Sequence, residues 1–369
     1  MKKTLIALAV AALASSAANA TVVYQKDGTK IDIDGRAHFE LQSAKNKRTD
    51  LHDVGSRLRV RAYQDLTDRL SAYGGVELRF SQGKYSDRAD QIGSNLRTHR
   101  MYAGFIHKDI GTLTFGRQLH LGDHIPKANY TYEWGGNVLF DAHKKAATFM
   151  SVPFGGVRVA ADYYFGNSNK ANETSSGNAN WDEGQGYGVG LYYDGKLTDD
   201  LAVRFGSGFT EVTQAVNTGT STNPIFLKQD EFKLQRGGIG FDVTYKIVHL
   251  GFDWAYGKAT KGKESSNINF QDVLPLSGTP VHKINRYQVG LKFDVTEQNA
   301  LYSAYYFGKA EKADTTIADY KMNAWMIGAD HRFNKNVAVY LEGGKAKIKQ
   351  SGAADIKNHR IITGVRILF

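Results

Sequence analysis

Apolar and polar residues alternate with a period of two in one segment after another of this 369-residue chain. In the first such segment, Lys30 to Gln42, the odd positions are mainly apolar and the even positions are mainly polar or charged. Because successive side chains of a β-strand point to opposite faces, this period predicts a strand with one apolar and one polar face. The pattern recurs in segments centred on Val60, Val76, Ala103, Val159, Leu191, Phe205, Phe241, Trp254, Leu291, Tyr305, Ile327, Val339 and Val365. With short segments at 112–117 and 146–153, of which the second alternates poorly, we count sixteen predicted strands.

The connections between these strands alternate strictly between short and long. Seven are tight and rich in Asp, Asn, Gly and Lys, at 64–69, 108–111, 154–156, 194–199, 246–249, 295–299 and 334–336. Eight are long and polar, at 43–53, 81–95, 117–143, 167–183, 211–235, 259–282, 311–321 and 348–357. Outer-membrane barrels carry short periplasmic turns and longer outer loops, whereas a secreted β-sandwich or β-helix has no reason to sort its connections. The predicted fold is therefore all-β, a sixteen-stranded antiparallel transmembrane β-barrel whose last strand, ending on Phe369, closes against the first.

The first twenty residues have the composition of a secretory signal peptide. Lys2 and Lys3 precede an apolar run from Leu5 to Leu13, and a small-x-small cleavage site follows at Ala18-Asn19-Ala20. The apolar run is shorter than the about 20 residues that a membrane-spanning helix needs. We therefore predict that residues 1–20 are cleaved and that residues 21–369 form one membrane β-barrel domain. The low mean hydropathy, −0.41, is compatible with a membrane barrel because lipid-facing and lumen-facing residues alternate.

The net charge of +10 indicates an anionic partner of some kind. Export argues against nucleic acid, which leaves anionic lipid headgroups or an anion-attracting cavity. Arg57, Arg59 and Arg61 share the polar face of one predicted strand, about 6.5 to 7 Å apart along it. This row predicts a basic stretch of the pore wall.

Two plainer interpretations of the arginine row stay open. The row could be a solvated face without any selective role. Alternatively, some of its guanidinium groups could pair with Glu77, Asp32 or Asp34 and simply stiffen the wall, because charges packed side by side need partners.

The third long connection, Arg117 to His143, has no steady period of two or of 3.6. A structureless connection of more than about 15 residues in a compact fold is commonly functional. We predict that this loop folds into the barrel lumen and narrows the pore. Gly135 and Gly136 would provide a sharp bend at its tip, although a plain turn is the alternative.

The chain resembles the sixteen-stranded general diffusion porins of Gram-negative outer membranes, especially their OmpH-like members. The resemblance covers essentially the whole mature chain and is most specific in DGTKIDIDGRAHF, SRLRVRAYQDLTDRLSAYGGVELRF, RTHRMYAGFIHKDIGTLTFGRQ, YEWGGN and HRFNKN, together with the terminal Phe369. It implies a trimeric, water-filled channel for ions and small hydrophilic solutes, with the third loop inside the lumen. It also implies outer-membrane lipid and lipopolysaccharide as surroundings, and recognition of Phe369 by the barrel-assembly machinery.

The resemblance also implies roles for particular residues. Arg36, Arg57 and Arg100 match positions of the family's basic cluster, whereas Arg59 and Arg61 are added by the alternation alone. Lys144 and Lys145 follow the loop, where the family carries further basic wall residues. Opposite this wall, the expected loop contacts are Asn129, Tyr132, Glu133, Trp134, Gly135 and Gly136. Because Asn129 stands where the family has a second carboxylate, we expect a weak preference for anions.

Other chemistry finds little support in the sequence. His120, Asp123 and His124 are residues of the types that bind metals, and their spacing is near that of metal ligands. Polar residues near a pore mouth need no metal, however, so we predict neither metal nor cofactor. A barrel enzyme such as a lipase or protease is disfavoured because no G-x-S-x-G elbow marks a nucleophile. An adhesin stays open as a third class, because the outer loops at 167–183, 211–235 and 259–282 are long and polar.

Overall fold

The computed structural model describes residues 20–45, 47–81, 92–93, 95–133, 142–166, 184–217, 226–265, 268, 270, 280–350, 352 and 354–369. Over these ranges the chain forms eighteen β-strands and one short 3-10 helix, Leu121–His124. The strands are β1 Thr21–Lys26, β2 Thr29–Ala44, β3 Asp50–Asp53, β4 Arg57–Asp65, β5 Leu70–Ser81, β6 Asn95–His107, β7 Gly111–Leu119, β8 Ala142–Ser151, β9 Val157–Tyr164, β10 Gly186–Lys196, β11 Leu201–Asn217, β12 Phe226–Tyr245, β13 Val248–Ala259, β14 Lys283–Asp294, β15 Asn299–Glu311, β16 Tyr320–Arg332, β17 Val337–Gln350 and β18 Ile356–Leu368. None of the helical structure in these ranges is long and apolar enough to cross a membrane.

The eighteen strands close into a barrel that is sixteen strands around. β3 and β4 pair with successive parts of the same edge of β2 and therefore share one position in the wall. β18 and β1 share another, because they pair with successive parts of the opposite edge of β2. Each of the other neighbouring pairs is antiparallel and consecutive in sequence. The predicted sixteen-stranded antiparallel barrel is confirmed, and the described strands close into a ring through the pairing of β18 with β2.

Phe369 completes this closure. Its amide donates to the carbonyl oxygen of Gly35 at 3.1 Å, and the Gly35 amide donates to the Phe369 carbonyl oxygen at 2.7 Å. Thr21, the first residue of β1, pairs with Ile33, which lies two positions before Gly35 on β2. The line of β18 therefore continues into β1, and Phe369 is tied into the wall as the sequence predicts.

The two faces of the wall are reversed relative to those of a water-soluble sandwich. Val60 on β4 points outward and is 39% exposed, whereas its neighbours Arg59 and Arg61 point inward and are 8% and 5% exposed. Leu41, Met101 and many other large apolar side chains on outward positions are also exposed. An apolar exterior around a polar interior is the arrangement that a lipid bilayer requires of a barrel.

All seven predicted turns lie between the strands where the alternation placed them, but three long loops differ from the prediction. The predicted bounds of the loop at 211–235 are wrong, because β11 continues to Asn217 and β12 begins at Phe226. The polarity pattern reverses there, with Val212 and Leu234 buried inside the barrel. The predicted loop at 43–53 contains the short strand β3, which pairs with β2.

The third loop is also shorter than predicted. β7 continues to Leu119 and β8 begins at Ala142, so residues 120–141 rather than 117–143 connect them. The pairing of β7 with β8 shifts between Gly116 and Gln118, which pair with Ala146 and His143, so the extra residue lies on β8. This bulge breaks the period of two on β8 and explains why that strand was predicted to begin too late. On β7 the inward positions continue regularly to Gln118, but the outward position before it is the charged Arg117, so the alternation of polarity ended too early.

Candidate functional site

The third loop enters the barrel and packs against the inner faces of its strands. After β7 the chain forms the 3-10 helix Leu121–His124, and Leu121 and Ile125 are completely or almost completely buried. The hydroxyl of Tyr192 on β10 donates to the Leu121 carbonyl oxygen at 2.9 Å. The predicted inward-folded third loop is therefore present, and its ordered contacts begin immediately after β7.

Three wall carboxylates hold the loop backbone, and we call Asp162, Asp253 and Glu342 the clamp carboxylates. Asp162 on β9 accepts from the Leu121 amide at 3.0 Å. Asp253 on β13 accepts from the amides of residues 127 and 128 at 2.6 and 2.9 Å. Glu342 on β17 accepts from the amides of residues 132 and 133 at 2.6 and 3.1 Å. These five hydrogen bonds anchor the loop at three positions around the wall.

Between the clamp carboxylates the loop lies on four wall glycines, Gly206, Gly240, Gly251 and Gly290, which we call the glycine bed. Gly206 pairs directly with Gly240, and Gly251 pairs directly with Gly290, so the four form two adjacent gaps in the lining. A Cβ on Gly240 would lie 2.1 Å from the Ile125 carbonyl oxygen, and one on Gly290 would lie 2.1 Å from an oxygen of residue 128. The close approach of loop backbone to wall backbone therefore requires glycine at these positions.

The loop tyrosines extend this attachment toward the last strands. The Tyr130 hydroxyl donates to Asp242 on β12. The ring of Tyr132 stacks on that of Tyr340 with centroids 3.9 Å apart, and its hydroxyl donates to Asp330 at 3.1 Å. The guanidinium of Arg366 lies over the same ring, 4.6 Å from its centroid. Burial raises the pKa of Tyr132, so it remains a neutral donor at ordinary pH.

The basic wall divides into two groups with different electrostatics. Arg59 forms an ion pair with Asp34 at 2.8 Å, and Arg61 pairs with Asp32 at 2.7 Å and with Asp34 at 2.9 Å. All four side chains are buried. The interpretation in which carboxylates neutralise part of the arginine row therefore describes Arg59 and Arg61.

The second group is an arginine cluster that shares one carboxylate. Glu77 on β5 accepts from Arg57 at 3.4 Å, from Arg79 at 2.8 Å and from Arg100 at 3.0 Å. Three positive charges around one negative charge leave a net charge of +2 there. Arg36 lies beside this cluster and donates to backbone carbonyl oxygens of residues 54 and 55. Arg79 was missed in the sequence, although it occupies an inward position of the alternation that includes Glu77.

Glu133 does not contact this cluster, contrary to the expected opposition. It forms an ion pair with Arg360 on β18. Arg360 and Arg366 were both missed in the sequence, although Ile361 and Ile367 lie on the outward face and the even positions of β18 therefore point inward. The reason for the error is the path of the loop, which follows the inner wall as far as β17 and β18 before residue 134.

The remaining predicted site residues have different placements. The Asn129 side chain accepts from the amide and hydroxyl of Thr131, at 3.2 and 3.1 Å, and so stabilises a local turn. Lys145 is exposed on the same face of β8 as Phe149, which pairs with outward-facing Leu113, so it does not belong to the basic wall. Trp134, Gly135, Gly136 and the side chain of Lys144 lie outside the described residues.

A second outer loop also sends side chains into the barrel. Ile268 and Phe270, between β13 and β14, are completely or almost completely buried among apolar side chains of β12 and β14–β18. A Cβ on Gly257 would lie 2.6 Å from Ile268, and one on Gly308 would lie 3.1 Å from Phe270. Sequence reasoning missed this contact, because the loop as a whole is polar and, among its described residues, the contact depends on Ile268 and Phe270.

The histidines near the start of the third loop have ordinary protein partners. His120 Nδ1 lies 3.0 Å from the Thr148 hydroxyl, and the His124 ring meets the edge of Tyr192. Across the described ranges, no group of three or more His, Cys, Asp or Glu side chains is arranged to hold a metal ion. Their contacts therefore account for these side chains as part of the loop's packing.

Comparison with known proteins gives consistent matches along the whole chain. A family profile described as Gram-negative porin matches residues 7–351. The chain is similar to the "Major outer membrane protein" of Pasteurella multocida (strain Pm70), at 32% identity over 378 residues and with 100% of both chains covered. Among solved structures it resembles the outer-membrane-expressed OmpT of Vibrio cholerae, with a TM-score of 0.66 at 18% identity, covering 95% of this chain and 100% of that one. It also resembles an anion-selective porin from Comamonas acidovorans, with a TM-score of 0.60 at 15% identity, covering 92% and 100%.

Proposed function

The chain belongs to the Gram-negative porin family, and from this premise we propose that its third loop constricts a water-filled channel for ions and small hydrophilic solutes. Membership of the family supports an outer-membrane channel for passive diffusion rather than an enzyme. The single observation that carries the constriction is the set of five hydrogen bonds from loop amides to the clamp carboxylates. A loop attached at β9, β13 and β17 occupies the lumen along that part of the wall and reduces the open cross-section.

We further propose that the channel prefers anions weakly. The arginine cluster around Glu77 has a net charge of +2, and Arg36 adds another positive charge beside it. The Glu133–Arg360 pair contributes no net charge, and Arg59 and Arg61, paired with Asp34 and Asp32, contribute none either. A pore selects ions by the charges that line its narrow part, so the uncompensated arginines favour anions.

Planar-bilayer recording of the purified protein tests both proposals. We expect large, ohmic, stepwise currents, and in a salt gradient a reversal potential whose sign corresponds to anion preference. Clear cation selectivity would overturn the preference. Deletion of residues 128–137 should increase the conductance if the barrel still assembles, and an unchanged conductance would place the loop outside the constriction.

Assembly follows the same family premise. We propose a homotrimer whose chains lose residues 1–20 on export and are recognised by the barrel-assembly machinery through Phe369. Stepwise currents in triplets and chemical crosslinking to a trimer test the oligomer. N-terminal sequencing of the outer-membrane protein tests cleavage, for which Thr21 is the expected first residue.

A further inference from the structure

Four arginines form a continuous row across the inner face of four neighbouring strands, and we call them the arginine belt: Arg36 on β2, Arg57 on β4, Arg79 on β5 and Arg97 on β6. In the register, each member lies directly opposite the next one along the row. Directly opposite residues share one face of a sheet, so Arg97 points into the lumen together with Arg79. Arg97 was missed in the sequence, because an extra residue of β6, His99, interrupts the alternation on that strand.

The arginine belt has far more positive than negative charge around it. The next row toward the turn ends holds two charges of each sign, on Asp34, Arg59, Glu77 and Arg100. Within the part of the chain that the structure describes, Glu77 is the one carboxylate within 4.0 Å of the belt, and Arg57 and Arg79 share it. Like charges directly opposite in an antiparallel sheet destabilise it, so the belt favours anions that come from the lumen.

The members of the belt differ in how many of their donors the protein uses. Arg36 is fixed to the carbonyl oxygens of residues 54 and 55, at 3.2 and 3.0 Å. Arg79 donates from Nε to Glu77 at 2.8 Å, and among the described residues its two terminal amino groups have no acceptor. The Arg97 side chain is exposed and also has no acceptor among those residues. Two neighbouring guanidinium groups therefore present unused N–H donors to the lumen.

The spacing of these two guanidinium groups suits a phosphate. Directly opposite residues have Cβ atoms about 4.5–5.5 Å apart, so Arg79 and Arg97 can both reach one small anion. Each guanidinium is planar and can donate two parallel hydrogen bonds to a phosphate or a carboxylate. A phosphate monoester carries about −1.5 to −2 charges at pH 7 and three acceptor oxygens, whereas a carboxylate has a single charge and two oxygens. Two guanidinium groups therefore match a phosphate better than a carboxylate.

The belt also lies where a solute entering from the side of the long loops can reach it. β2 runs from the turn at residues 27–28 toward the first long loop, so Arg36 is nearer to the loop end than Asp34. The whole belt therefore lies on the outer side of the row that contains Glu77. The side chains of Arg57 and Arg79 are 21% and 22% exposed, so their guanidinium groups remain open to the lumen.

We propose that Arg79 and Arg97, with Arg57 beside them, form a saturable binding site for the phosphate group of small phosphate monoesters such as sugar phosphates. The inference rests on the proposed channel function and adds a substrate class to it. A diffuse positive potential attracts every anion, whereas this site distinguishes solutes by the number of charges and acceptor oxygens on one group. The solute's remaining part extends into the water-filled lumen and is not selected.

Block of the chloride current through the purified protein in planar bilayers tests this site. Glucose 6-phosphate should reduce the current in a saturable way, whereas neutral glucose should not. Glucuronate, which carries a single charge on the same kind of ring, should bind at least about tenfold more weakly, because it makes fewer charge-assisted hydrogen bonds. Inorganic phosphate should compete with glucose 6-phosphate, because the belt contacts the phosphate group alone.

Three double variants separate a binding site from general electrostatics. Arg79→Gln with Arg97→Gln should raise the half-blocking concentration of glucose 6-phosphate at least about tenfold. The control, Arg158→Gln with Arg332→Gln, removes two other lumen arginines, each paired with a carboxylate, and should leave that concentration unchanged. Arg79→Lys with Arg97→Lys keeps both charges without the planar donors, so it should retain the reversal potential and still bind glucose 6-phosphate several-fold more weakly.

A block that rises linearly with glucose 6-phosphate concentration would overturn the proposal. Equal block of the original protein and the Gln variant, equal block by glucuronate, or full binding by the Lys variant would each overturn it as well. Equilibrium dialysis of the detergent-solubilised protein with labelled glucose 6-phosphate measures binding without any current. Saturable binding without conductance would contradict the channel function alone, and conductance without saturable binding would contradict this inference alone.

Discussion

Gly240 on β12 lies directly beneath the carbonyl of Ile125, so close that a Cβ would come within 2.1 Å of the oxygen. The wall and the third loop are therefore in backbone contact, with no side chain between them. This relationship makes the position of the loop sensitive to a single methyl group on the wall.

Replacement of Gly240 by Ala should push the loop off the wall toward the pore axis and lower the single-channel conductance. The expected cost in stability is about 1–3 kcal/mol, because an overpacked contact must shift backbone. Gly237 on the same strand is a matched control, since its Cβ would have no neighbour closer than 3.6 Å. Bilayer conductance and thermal unfolding are the measurements. The glycine bed would lose its assigned role if Gly240→Ala and Gly237→Ala behaved alike.

Replacement of Glu342 by Ala should loosen the end of the loop nearest β17. The amides of Tyr132 and Glu133 would lose their acceptor, which costs about 1–3 kcal/mol when buried donors are left unpaired. We expect a lower thermal midpoint and noisier open-channel currents. Glu297→Ala, at an exposed turn, provides the control. Quiet currents together with an unchanged midpoint would show that this carboxylate does not hold the loop.

Replacement of Glu77 by Gln should increase anion preference. The three guanidinium groups of the arginine cluster would then have no carboxylate among their present contacts, and the local charge would rise from +2 to +3. The reversal potential in a salt gradient should shift further in the anion direction. Asp200→Asn, which removes an exposed turn carboxylate, should leave it unchanged. A shift toward cations in the Glu77 variant would contradict the placement of this cluster at the selective part of the pore.

Replacement of Phe270 by Ser should release the second inward contact and raise the conductance at the outer mouth. Phe270 is almost completely buried against apolar wall residues, so we expect a loss of about 3 kcal/mol in local packing. Phe154 is the control, because it is 88% exposed at a turn. Permeation of sugars of increasing size in swelling vesicles measures the effect. Identical size limits in the two variants would mean that Phe270 does not narrow the path.

The sequence by itself determined the class of fold and most of its layout. The period of two around residues such as Val60 and Phe241 depends only on local backbone geometry, so it can be recognised without knowing any neighbour. Turn positions follow from it as well, because a turn interrupts the alternation over a few residues. The exceptions have local causes. The extra residue of β8 between His143 and Ala146 shifted the period there, and the apolar lining at Val212 and Leu234 reversed the polarity pattern.

Only the tertiary structure decided which charges remain uncompensated and where the loop lies. The alternation identifies Arg59, Arg61 and Arg100 equally as inward residues. Their partners depend on register between strands, which pairs the first two with Asp34 and Asp32 and joins Arg100 to Glu77. The loop's path likewise depends on glycines and carboxylates from strands far apart in sequence, such as Gly240 and Glu342. Contacts of that range arise only when the barrel closes, so no local pattern in the chain could have predicted them.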